Sequence, residues 1–290
     1  MLWLTGGPGC SALSGLFFEI GPLAFNLTSK KTEWDTHWLQ YNPYSWTKES
    51  GRVDLNGLKR KGGRVDMNGG SIIFLDSPVG TGFSYATTPE AYYSSDTLQA
   101  AHIHDFLRQW LIEHPKFINS GLYISGDSYT GMVVPTIVDD ILQGNEIGLR
   151  PKLNLKGYVL GNPISEYDKC ETARYKLSHD MSFIPDELYK AAEISCKGDF
   201  KNFDVKNAKC SKYVQTMKQD ISLIFESNVL EHNCLPISLK SSKKQKYLNT
   251  KSMLANAEFC RVQSYLLILL WADDELVKKA LHIQEGSIRH

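Results

Sequence analysis

The sequence predicts an α/β fold, a parallel sheet with crossover helices followed by a mainly helical insertion, and three observations predict it. Four short apolar runs, Met1–Leu4, Ser71–Asp76, Gly121–Gly126 and Leu155–Leu160, each lead into a turn. Between the later runs lie two longer stretches whose apolar residues recur at helical spacing. Beyond about residue 165 the strand-like runs give way to polar, helix-like segments. A strand–helix–strand–helix–strand order joins parallel strands by right-handed crossovers.

The elements follow in chain order. Met1-Leu2-Trp3-Leu4 reads as the end of a buried strand that runs straight into Thr5-Gly6-Gly7-Pro8-Gly9. No charged segment precedes a long apolar core there, so it is not a signal peptide. A strand that begins at the first residue leads us to expect a partial chain. Ser71–Asp76 is continuously apolar before its closing turn, as in a strand buried on both faces. Ser94 to His114 reads as a helix, with Ala100, Ile103, Leu107, Trp110 and Leu111 on one stripe and Pro115 as its stop. Gly121–Gly126 is the next strand. Val134, Ile137, Val138, Ile141 and Leu142 form the apolar face of a second helix, with Pro135 expected in its first turn. Leu155–Leu160 is a third strand, closed by Gly161-Asn162-Pro163. The expected organisation is a core over 1–164 with an inserted loop at 49–70, a helical lid over 165–270, and a return to the core at 271–290.

Composition narrows the function. A chain of 290 residues suggests about two domains. Apolar residues are 42% and charged residues 22%, which excludes global disorder and fibrous repeats. Lys plus Arg and Asp plus Glu are both 32, so no basic excess exists to drive nucleic-acid binding. The apolar run Tyr265–Ala272 is far shorter than the ~20 residues of a membrane span. Six cysteines without a C-x-x-C pair argue against structural zinc, and no metal or cofactor is expected. Their spacing leaves two possibilities open, free thiols or a few long-range bridges. Asn26-Leu27-Thr28 is a glycosylation sequon. Gly51–Gly57 recurs as Gly63–Gly69; a calcium loop fails because position twelve of each copy is Val65 or Ser77, so an exposed surface insertion is expected.

The chemistry concentrates at two turns. Gly126-Asp127-Ser128-Tyr129-Thr130-Gly131 joins an expected strand to an expected helix. A serine on such a sharp turn is the nucleophile elbow of α/β-hydrolases, although Thr130 stands where the general pattern has glycine. Gly6-Gly7-Pro8-Gly9 also follows a strand, and its N–H groups can bind an oxyanion beside the N–H after the nucleophile. Together the two turns favour a serine acyl-transfer enzyme.

Trp3-Leu4-Thr5-Gly6-Gly7-Pro8-Gly9-Cys10-Ser11, Asp76-Ser77-Pro78-Val79-Gly80-Thr81-Gly82-Phe83-Ser84-Tyr85 and Gly126-Asp127-Ser128-Tyr129 resemble the hallmarks of serine carboxypeptidases. Phe18–Leu23, Asn42–Thr47, Gly157–Pro163 and Trp271-Ala272-Asp273-Asp274 extend the resemblance over nearly the whole chain outside 49–70, and it is closest to the plant carboxypeptidase-like group, which includes acyltransferases. The resemblance implies an α/β-hydrolase fold, truncated here at both ends, with Ser128 as nucleophile and the N–H groups of Gly7 and Tyr129 as oxyanion hole. It implies substrate contacts from Thr5, Gly6, Glu19 and Asp127. True carboxypeptidases usually carry Asn at the position of Thr5 and Glu at that of Asp127, and both positions hold the substrate's terminal carboxylate. Asp before the nucleophile is typical of the acyltransferase branch, which passes an acyl group from a glucose ester to an alcohol. Small-molecule acyl donors and acceptors are therefore the expected partners, with a peptide C-terminus as the alternative and an inactive remnant as a third reading. The resemblance also implies bridges Cys10–Cys260 and Cys196–Cys210, glycosylation at Asn26 and a secreted or vacuolar location.

The catalytic acid and histidine should follow the serine in the chain. The histidines after Ser128 are His179, His232, His282 and His290, and none lies in a strand-plus-loop context. The expectation is that this chain lacks both triad partners and has little activity by itself.

Overall fold

The computed structural model describes residues 1–25, 39–47, 70–225, 228–231 and 261–283. The expected insertion, the Asn26 sequon, Cys234, Cys260, His232 and His290 lie outside them.

Strand β1 (Leu2–Leu4) is fully buried. It pairs in parallel with β4 (Ile73–Phe74) on one side and β5 (Leu122–Asp127) on the other. β5 pairs in parallel with β6 (Leu155–Gly161), which gives the order β4-β1-β5-β6. Only two residues of β4 join the sheet, and they are half-buried rather than covered on both faces. The expected run to Asp76 stops early because Asp76 turns into a network with the glycine turn, described below.

Helix α1 (Asp96–Glu113) starts where Ser95 caps it, its hydroxyl accepting the Leu98 N–H at 3.2 Å. Ala100, Ile103, Leu107 and Leu111 on its buried stripe share one core with Leu2, Leu4 and Ile124 of the sheet. Helix α2 (Thr130–Glu146) completes that core with Val133, Val134, Ile137 and Ile141. Each fully buried Leu or Ile contributes roughly 1.5–3 kcal/mol. α2 begins earlier than its apolar face suggests, so Pro135 lies inside the helix rather than in its first turn. Leu142, read as part of the apolar face, is exposed.

Between β1 and β4 the chain forms the short π-helical turn Gly15–Glu19 and the antiparallel pair β2 (Leu23–Phe25) and β3 (Leu39–Tyr41). Phe17 stacks on Phe25 at 4.7 Å and meets Trp271 edge-on at 4.8 Å. Asn42 donates to the Gly21 carbonyl at 2.9 Å, and Ser45 donates to that of Ile20 at 3.1 Å. These contacts explain why the Phe18–Leu23 and Asn42–Thr47 motifs belong together: the second fixes the backbone that carries Glu19.

The chain divides into Met1–Pro163 with Tyr265–His290, and Ile164–Ser264. The expected return at residue 271 falls inside the helix Arg261–Ala272. The second unit contains α3 (Tyr167–Asp180), α4 (Asp186–Cys196) and α5 (Ala208–Asp220). Its core gathers Tyr175, Ile184, Tyr189, Phe200 and Met217 around the Cys196–Cys210 disulfide. Cys10 and Cys170 carry free thiols. Cys260, the partner expected for Cys10, lies outside the described residues. No described helix is long and apolar enough to cross a membrane.

Candidate active site

Leu4 of β1 stands in register with Gly126 of β5, so the turns after the two strands leave the sheet side by side. The C-terminal ends of parallel strands are where such sheets place their sites. Ser128 occupies the turn between β5 and α2 with φ +54, a left-handed conformation that costs a non-glycine residue on the order of 1–3 kcal/mol. Three hydrogen bonds hold it there. Ser128 N–H donates to the Gly161 carbonyl at 2.9 Å, Gly131 N–H to the Ser128 carbonyl at 3.1 Å, and the Thr130 hydroxyl to the Asp127 carbonyl at 2.7 Å. Thr130, unusual for the motif, thereby acts as a brace. A Cβ at Gly126 would lie 2.6 Å from the Leu4 carbonyl oxygen, which is why glycine must precede the elbow.

The glycine turn lies directly against the elbow. A Cβ at Gly6 would sit 2.7 Å from Ser128 Cβ and 2.9 Å from the Tyr129 nitrogen. Gly6 N–H donates to Asp127 Oδ1 at 3.2 Å, and Cys10 N–H closes the turn on the Gly6 carbonyl at 3.1 Å. Gly7 has φ +119, open to glycine alone. Among the described residues neither the Gly7 nor the Tyr129 N–H donates to another group. Two free N–H groups on turns that meet beside a serine are the kind of donors that a developing oxyanion needs.

Two interacting carboxyls, Glu19 and Asp127, carry raised values here. Burial, with the neighbouring Asp127 charge, pushes Glu19 up to about 7, against the opposing effect of the Ser14 hydroxyl and the Trp3 indole. Burial also raises Asp127, against the N–H of Gly6. Partial burial and these two acids raise the Cys10 thiol. Thr5 accepts a hydrogen bond from Ser14 at 3.3 Å. Thr5, Gly6, Gly7, Asp127, Ser128 and Tyr129 thus lie together at one end of the sheet, and Glu19 stands within electrostatic reach of Asp127.

Among the described residues, no histidine is hydrogen-bonded to this group. His179 is bonded to Asp186 at 2.6 Å in the helical unit, and His282 lies in the turn after the helix Glu275–Ala280. His104 accepts from Arg108 at 2.9 Å. Three supports of the site were not singled out from sequence as such: Asp76, Asp96 and Gln99. Asp96 accepts the Tyr129 hydroxyl at 3.1 Å, and Gln99 donates to the Ser77 hydroxyl at 3.2 Å. Polar residues in the first turns of an otherwise apolar-striped helix were the available signal.

Sheet, elbow and glycine turn define an α/β-hydrolase fold. The serine carboxypeptidase family model matches residues 1–53 and 67–290, and the chain belongs to that family. Serine carboxypeptidase-like 9 of Arabidopsis thaliana is 40% identical over 99% of this chain and 57% of its own length. Serine carboxypeptidase-like 12 of the same plant is 38% identical over the same shares. The chain therefore spans a little over half the length of these curated relatives. The crystal structure of a prohormone-processing carboxypeptidase from Saccharomyces cerevisiae shares the fold, with TM-score 0.59 and 18% identity over 100% of this chain and 56% of that one.

Proposed function

We propose that this chain carries the nucleophile and oxyanion site of a serine carboxypeptidase-like acyltransferase. Ser128 Oγ attacks the carbonyl carbon of a glucose ester, and the oxyanion rests on the N–H groups of Gly7 and Tyr129. Collapse expels glucose, which takes up the proton as it leaves. An acceptor alcohol then attacks the acyl-enzyme and frees Ser128.

One observation supports this reading over peptidase action: the two groups that would hold a peptide's terminal carboxylate each already accept one hydrogen bond within the chain. Asp127 Oδ1 is bound by the Gly6 N–H, and Thr5 by Ser14. A hydrogen bond to a charged group contributes roughly 1.5–3 kcal/mol, which a neutral sugar ester does not need. Ser128 has no hydrogen-bonded histidine among the described residues, so acylation by this chain alone is slow. We further read the protein as secreted or vacuolar, and glycosylated at Asn26.

The test is intact-mass detection of an acyl adduct on Ser128 during long incubation with an acyl glucose ester or with a blocked dipeptide. An adduct from the ester, absent in Ser128→Ala, is expected. Faster adduct formation or cleavage with the dipeptide would replace this reading by a carboxypeptidase. The raised Glu19 favours that second reading, since a protonated Glu19 can donate to a substrate carboxylate below about pH 7. Peptidase action of that kind would fall as pH rises through 7.

A further inference from the structure

We propose that Asp76 is a positioning residue that sets the Gly7 N–H opposite the Tyr129 N–H, an inference that rests on the serine-acylation reading above. Asp76 follows β4 and joins two segments remote in sequence. Its Oδ1 accepts the Ser11 hydroxyl at 2.6 Å and the Ala12 N–H at 2.8 Å, immediately beyond the glycine turn. Its Oδ2 accepts the Phe83 N–H at 2.8 Å, and its carbonyl accepts the Ser84 hydroxyl at 2.7 Å. One carboxylate thus takes three donors and fixes where the glycine turn ends. Gly82 makes room for it: with φ +52, a Cβ there would overlap the Asp76 carboxylate.

The other half of the oxyanion site hangs from the same frame. Ser77, next to Asp76, is held by Gln99 in α1, and Asp96 in the first turn of α1 holds the Tyr129 side chain. The two N–H groups reach their positions by separate routes, Gly7 through Ser11 and Ala12 to Asp76, Tyr129 through its hydroxyl to Asp96. Both routes end on the β4–α1 segment. Asp76 has its donors among protein groups and acts through the turn.

The experiment follows Ser128 phosphonylation in the full chain with a fluorophosphonate, varying reagent concentration, alongside amide hydrogen exchange. Asp76→Asn keeps the shape but turns one acceptor into a donor, so either Phe83 or the Ser11–Ala12 pair loses its partner. The expected result is a limiting rate lower by about ten- to a hundredfold, less than the ~10²–10³ for outright removal of a donor. The half-saturating concentration stays within about twofold, and exchange rises at Ala12 and Phe83 while the β5–β6 ladder remains protected. Gly82→Ala, which displaces the carboxylate without removing its charge, should do the same. Faster exchange with unchanged labelling would reduce Asp76 to a structural brace and overturn the proposal. So would a loss in Asp76→Asn that Gly82→Ala does not reproduce. A parent chain that never labels at Ser128, with Ala12 and Phe83 protected, would instead overturn the serine-acylation reading itself, and this inference with it.

Discussion

Carboxylates behave in opposite ways in the two units of this chain. Around Ser128, burial pushes Glu19 and Asp127 upward. In the helical unit Asp180 and Asp186 are exposed and are drawn downward by bonds to Lys176 and to Lys190 and His179. Asp199 is drawn down by the N–H groups of Asn202 and Lys201. The sheet unit holds charge where it is costly, which marks a site. The helical unit neutralises its charges at the surface and takes its order from aromatic packing and a disulfide. Among the described carboxylates, those raised by burial thus belong to one unit, and the substitutions below test that division.

The largest effect is expected at the contact between the two turns. Gly6→Ala places a methyl 2.7 Å from Ser128 Cβ, so the elbow or the glycine turn must move. Displacement by about 1 Å costs on the order of 10²-fold in reactivity. Fluorophosphonate labelling of Ser128 should fall by that factor with circular dichroism unchanged; labelling at the parent rate would mean that the turns are not mutually braced.

The helical unit should respond to loss of its cross-link instead. Replacing Cys196 and Cys210 together by Ser opens a loop with a sequence separation of 14, worth about 3 kcal/mol in the unfolded-chain account. All six tryptophans lie outside Ile164–Ser264, so tryptophan fluorescence follows the sheet unit alone, while circular dichroism follows both. Urea unfolding should shift early by circular dichroism and hold its midpoint by fluorescence. A matched shift in both signals would show that the units unfold as one.

The carboxylate contrast itself is tested by pH. The folded Glu19 titrates near 7 and the unfolded one near the ordinary carboxyl value of 4.5, so the native state holds the extra proton between those limits. Stability of the sheet unit is therefore greatest below about pH 4.5 on this account and falls as pH rises to 7, by up to about 3 kcal/mol. Glu19→Gln should abolish that fall, with tryptophan-detected urea midpoints at pH 5 and 8 drawing together. A parent whose midpoint rises across that window would contradict the buried-acid picture.

Much of this was legible beforehand. β1, β5, α1 and α2 were readable because apolar runs and stripes report burial directly, and Ser128 because an elbow needs Gly126 before it; β6 was readable as an apolar run although Tyr158 and Val159 on it are exposed. The pair β2–β3 and the turn Gly15–Glu19 were not, since three-residue strands carry no periodicity. Asp76 stood in a quoted motif, yet its role needs Ser11 and Phe83 to meet, a tertiary fact. Cys10 has Asp127 and Glu19 for electrostatic neighbours, which its place in the sequence does not show. Thr130 looked like a departure from the motif and is a brace for it.

The smallest expected effect is the converse of the Glu19 result. Lys190 pairs with Asp186 at 2.9 Å, their side chains 66% and 63% exposed. Asp186 opens α4 and also answers the helix N-terminus, so replacing it would mix two contributions. Lys190→Ala removes the pair and leaves that one in place. Water around both groups already screens their attraction, and two long side chains lose freedom in meeting. The urea midpoint by circular dichroism should therefore drop only slightly at low salt. At about 0.5 M salt, where the screening length is a few ångströms, the difference should vanish. Glu19→Gln should keep most of its effect in the same salt, because burial is the larger cause raising that group, ahead of the Asp127 charge. A Lys190→Ala loss that persists at high salt would place a desolvated charge in the helical unit and end the contrast between the two.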